Sequence, residues 1–108
     1  MRKVNLAAAI KFLEGRAALA MEDFNKDYIH AFKWGSHEDA YRYHIQIRFL
    51  RDMIGKDRSA EAVQAEITKR IYRLVETSIH QNVLNTRCNQ LELSALKDLA
   101  GTLHRYSE

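Results

Sequence analysis

The chain has 108 residues, the size of one domain, and carries 17 basic against 14 acidic side chains for a net charge of +3, an excess too mild to imply a nucleic-acid partner by itself. Its single cysteine, Cys88, excludes an intrachain disulfide and any Cys-x-x-Cys metal or redox pair, and no apolar run approaches the roughly 20 residues that a membrane span needs. The sequence contains no proline, so the strongest helix breaker is absent.

Near the start, Arg2 and Lys3 precede a short apolar run, and Ala18-Leu19-Ala20 resembles a cleavage site. Lys11, Glu14 and Arg16 interrupt that run, so a signal peptide is not expected and the cytoplasm is the expected location. Asn5 is a candidate helix cap. From there Leu6, Ile10, Leu13, Ala17, Ala20, Phe24, Tyr28 and Ala31 recur at spacings of four and three, which predicts one helix over about 5–33. At 1.5 Å per residue it would span on the order of 40 Å. The competing reading breaks it at Asn25-Lys26-Asp27. Ala17 and Ala20 narrow the seam, so a neighbouring helix can approach closely there.

Gly35 suits the left-handed end of that helix, and Trp34 beside it is either a core residue at the hinge or an interface anchor. Ser36, with Asp39 three residues on, opens a second helix over about 37–54 that stops at Gly55. Its stripe is Ala40, Tyr43, Ile47, Leu50 and Ile54, and Ile45, Phe49 and Met53 widen the apolar arc beyond half the circumference. A helix apolar over that width packs on two neighbours, or on one neighbour and a second copy of the chain. Residues 41–49 also alternate as a strand would, but no other segment alternates to pair with them.

Lys56-Asp57-Arg58 links to a third helix, predicted over 60–84 and capped by Ser59. Ala60, Val63, Ile67, Ile71, Leu74, Val75 and Ser78 share one side, while Glu66, Lys69, Arg73, Glu76 and His80 share the other. Ser78 and Asn82 on the apolar side predict loosening beyond Val75. Residues 85–89 read as a turn, and Asn89 with Glu92 as a capping box for a fourth helix over about 90–106. Cys88 would then be a buried staple onto that helix. The expected architecture is all-α, a single domain over 1–108 folded as a compact antiparallel bundle of about four helices.

Chemistry is sparse. Asp27 with His30 and Glu76 with His80 have the spacings of helical metal ligands, but both pairs lie off the apolar seams, and a di-metal bundle needs the acid-x-x-His pattern twice. No metal or other cofactor is expected. There is no glycine-flanked serine and no phosphate-cradling glycine loop, so no enzyme activity and no small-molecule substrate are expected.

The second helix carries a narrow polar strip, His37, Tyr41, His44, Arg48 and Arg51, with Lys56 and Arg58 following. Guanidinium forks beside an aromatic hydroxyl and imidazoles suit phosphate or carboxylate recognition. The bland alternative is a solvated face that keeps the helix soluble. The candidate binding residues are therefore Tyr41, His44, Arg48, Arg51, Lys56 and Arg58. Lys69, Arg70 and Arg73 form a second basic group, flanked by Glu66 and Glu76 as in an ordinary salt-bridged face. The expectation is a small non-enzymatic binding protein (an adaptor, inhibitor or regulatory subunit) with a protein partner or self-association. The alternative is a nucleic-acid-binding regulator using the strip.

Overall fold

A computed structural model describes residues 2–26, 36–81 and 86–107. Four α-helices lie within them: α1 (Leu6–Lys26), α2 (Ser36–Asp52), α3 (Ala60–His80) and α4 (Arg87–Thr102). A 3₁₀ turn at Leu103–Tyr106 follows α4. The fold is all-α, and the described residues form no strand.

The start of α1 is set by Asn5, whose Oδ1 accepts from the Ala8 N–H at 3.1 Å and whose carbonyl accepts from the Ala9 N–H at 3.1 Å. The helix is described from Leu6 to Lys26, and the alternative break at Asn25-Lys26-Asp27 reaches beyond the described residues. Its expected continuation to residue 33, the Asp27–His30 pair and the Trp34-Gly35 terminus lie outside the described residues. The predicted stripe faces inward, with Leu6, Ile10, Leu13, Ala17 and Ala20 buried and Ala9 added to them.

Residues 41–49 are helical, so the strand alternative is excluded. The wide apolar arc of α2 is covered within the chain: α1 packs on one side of it and α4 on the other. Ala40, Ile45, Ile47, Phe49 and Leu50 are buried there, with Met53 just beyond. Two residues depart from expectation. Ile54, placed in the stripe, is 62% exposed, because α2 ends at Asp52 and the chain turns through Gly55 at φ +85°. Gln46, a polar residue outside the expected apolar arc, is buried, and its Nε2 donates to the Ala95 carbonyl at 2.9 Å. A buried amide is tolerated when it has such a partner.

Ser59 caps α3, its Oγ accepting from the Ala62 N–H at 3.3 Å. Asp57 Oδ1 in turn accepts from the Ser59 N–H at 2.9 Å, and that bond, with one from the Ser59 hydroxyl, holds the Asp57 carboxyl below the ordinary aspartate range. Val63 and Ile67 are fully buried. The predicted loosening after Val75 does not occur. The helix continues to His80, and Ser78 is buried on its inward side, where a small side chain fits without breaking the packing.

The predicted turn over 85–89 and the Asn89 capping box are also corrected. Thr86 is already extended (φ −67°, ψ 146°) and its carbonyl accepts from the Gln90 N–H at 3.0 Å, so α4 begins at Arg87 and Asn89 falls within its first turn. Cys88 is exposed rather than a buried staple. Leu91, Ala95, Leu96 and Leu99 make the buried side of α4.

Beyond the cap at Asn5, the sequence reading assigned no structural role to residues 2–5. They run in extended form between two other parts of the chain. The Val4 N–H donates to the Arg58 carbonyl at 2.8 Å, the Asn5 N–H to the Tyr106 carbonyl at 2.6 Å, and the Ala60 N–H to the Arg2 carbonyl at 2.8 Å. Isolated bridges join Lys3 to Ser59 and Val4 to Ser107. Val4 is fully buried in the core shared with Leu13, Leu50, Ile67 and Leu99.

Candidate functional site

The six candidate residues do not stay on one surface. On α2, Tyr41 with Arg48 and His44 with Arg51 form two columns, each pair seven residues apart, about 60° from one another around the axis. Packing puts a different neighbour beside each column. His44 and Arg51 face α1, lining a groove with Glu14, Ala17 and Met21, and Arg51 Nη2 donates to Glu14 Oε1 at 3.3 Å. Both of those side chains are more than half exposed, so the pair contributes little.

Tyr41 faces α4. Burial first, then the neighbouring Cys88 thiol and Glu92 carboxylate, push its hydroxyl above the ordinary tyrosine range. Lys56 is exposed in the turn after α2. Arg58 is half-buried, and its Nη1 donates to the Val4 carbonyl at 3.2 Å, which gives it a place in holding the 2–5 segment.

Arg48 lies on the wall of a groove of about 450 Å³. The groove exists because α2 and α3 are splayed: no Cα of one comes within 8 Å of a Cα of the other, and α4 lies between them as a floor. Its apolar surface comes from Ile45 and Phe49 of α2, Leu74 of α3 and Leu96 of α4. Its polar lining is Arg48 and Asp52 from α2, Arg70, Arg73 and Thr77 from α3, and Glu92 from α4.

Arg70 spans the groove. Its guanidinium carbon lies 4.6 Å from the Phe49 ring centroid, Nη1 donates to Asp52 Oδ2 at 3.2 Å, and Nε is 3.5 Å from Glu66 Oε1. The expected salt-bridged face therefore holds for Arg70 and Glu66. Arg48 and Arg73 are exposed, one on each wall, and neither forms an ion pair among the described residues.

Comparison with protein-family models, with curated proteins and with solved structures gave no match to this chain.

Among the described residues no three His, Cys, Asp or Glu side chains gather as metal ligands, and no helix is long and apolar enough to cross a membrane. Sequence reasoning singled out Arg48 and set Arg70 and Arg73 apart as a second, salt-bridged basic group, without joining them to it. Arg73 and Leu74 sit at the border between the charged and apolar sides of α3, and that border becomes a groove wall only when the neighbouring helix stands away. The signal available was the two-neighbour width of α2, which names α2 as the central element and leaves α3 for a more peripheral place.

Proposed function

We propose that this chain is a non-enzymatic binding protein whose α2–α3 groove receives an amphipathic helix of a protein partner, apolar on the inserted side and acidic along its edges. The observation that carries this reading is the apolar floor bounded by a guanidinium on each wall, Arg48 and Arg73, with no carboxylate paired to either among the described residues. A helix laid in a groove gains affinity from its apolar anchors and its orientation from charges at the rim. Arg70 already holds Asp52 and Glu66, so it shapes the groove while the other two arginines stay available.

Self-association belongs to the same reading, through the outer face of α3, where Tyr72 (72% exposed) and Ile79 (60% exposed) stand seven residues apart on one side. The wide arc of α2 and the alanine seam of α1 do not supply that surface, since both are covered within the chain.

The test is affinity capture from nuclease-treated native lysate with the wild-type chain beside Leu74→Glu and the Arg48→Ala, Arg73→Ala double variant. The expected result is a protein retained by the wild type and lost by both variants, with circular dichroism unchanged. Retention by the variants, or loss of all captured protein on nuclease treatment, would sink the proposal.

A further inference from the structure

A second groove of about 490 Å³ opens where α1, α2 and the end of α4 meet, away from the α2–α3 groove. Three cations line it: Arg16 from α1, Lys97 from α4 and Arg105 from the 3₁₀ turn. All three are exposed and none is ion-paired among the described residues, whereas Arg42, Arg51, Arg70 and Arg87 elsewhere are each matched with a carboxylate. Asp98 is the one acid in the described lining, which leaves the concavity positive.

Aromatic side chains stand among these charges. Phe12 is 52% exposed at the rim, tilted 50° against Tyr106 at 6.2 Å between centroids, and the Arg16 guanidinium carbon lies 5.9 Å from the Phe12 centroid. A ring left half in water costs hydrophobic free energy, and three like charges around one hollow repel. A ligand that is both flat and anionic relieves both. The volume falls in the range of small-ligand sites.

We propose that this groove binds a nucleoside phosphate, either free or as one unit of a single-stranded nucleic acid, with the base against Phe12 and the phosphate among Arg16, Lys97 and Arg105. An unpaired base is required because only it offers its whole face for stacking. Paired bases in a duplex do not. The site uses none of the six candidate residues on and after α2.

The test measures binding to the intact chain at low and at physiological salt. The probes are fluorescein-labelled single-stranded oligonucleotides followed by anisotropy, and adenosine monophosphate followed by calorimetry. Binding of the oligonucleotide alone assigns the site to a strand, and binding of the mononucleotide as well assigns it to free nucleotides; either supports the proposal. Phe12→Leu is expected to weaken binding roughly tenfold, the loss of one stacked base, while Phe12→Tyr retains it. Arg16→Ala and Arg105→Ala are each expected to lower the salt slope by about one. Arg48→Ala, which tests the other groove, is expected to leave nucleotide binding unchanged. Phe12 and the arginines are surface residues, so unchanged circular dichroism is expected for these variants. No binding of either probe at low salt overturns the proposal. So does equal displacement by inorganic phosphate or polyglutamate, or a Phe12→Leu variant that binds like the wild type.

Discussion

Gln46 shows how a polar side chain comes to sit inside. Around α2 it lies in line with Tyr43, Phe49 and Leu50, three and four residues away, so helix geometry rolls it inward with them. The Ala95 carbonyl then supplies what water would have supplied. Replacing Gln46 by leucine breaks that bond and is expected to lower stability by about 1–3 kcal/mol, read from urea unfolding monitored by circular dichroism. Nothing in the sequence near Gln46 names Ala95, 49 residues away, as its partner, which explains why its burial was not legible.

Glu38 is a residue whose effect depends on pH. Arg87 grips it through Nε and through Nη2 at 2.5 Å, and that hydrogen bond, more than the charge alone, holds the Glu38 carboxyl below the ordinary glutamate range. A depressed carboxyl contributes stability that is complete above the ordinary glutamate range and is lost as pH falls through its lowered value. The tie between the starts of α2 and α4 is therefore expected to hold through mildly acidic conditions and release only in stronger acid. Carbon NMR of the Glu38 carboxyl is expected to show its titration moving up to the ordinary range in Arg87→Ala.

At the scale of elements, periodicity did most of the work. All four helices were legible because their apolar stripes recur every three or four residues, and α2 was rescued from its strand-like alternation by the absence of a pairing partner. Caps were legible where one candidate stood alone, as at Asn5 and Ser59. At the start of α4 the Asn89–Glu92 pattern misplaced the boundary, because the helix begins after the extended Thr86, three residues ahead of Asn89. The splay of α2 and α3 was not legible, because it depends on how thick a layer α4 makes between them.

The Arg70–Phe49 contact crosses that splay beside the Arg70–Asp52 ion pair, and it can be measured directly. Phe49→Ala is expected to cost about 3–5 kcal/mol, since the ring is almost fully buried. Arg70→Ala is expected to cost about 1 kcal/mol, as its ion pairs are partly exposed. A double-mutant cycle between the two is expected to return a coupling of about 0.5–2 kcal/mol for the guanidinium over the ring. Additivity within error would show that the stacking contributes nothing.

For the whole molecule, composition and periodicity were enough to give the fold class, and they left out the device that ties distant parts together. Residues 2–5 carry no periodic signal, and their partners are 58–60 and 106–107, far along the chain. Val4→Ala is expected to cost about 2 kcal/mol from two lost methyl groups and the space they leave. Hydrogen exchange at the Val4 and Asn5 amides is expected to speed up in that variant before exchange within α3 does.

The same arrangement sets an order on biosynthesis. Val4 leaves the ribosome about a hundred residues before Ser107, one of its two flanking neighbours. Until that stretch is clear of the exit tunnel, residues 2–5 have only half their dock and a valine facing water. Helices can form as they emerge, but the step that fastens the Val4 segment into its native place waits until Ser107 has been made.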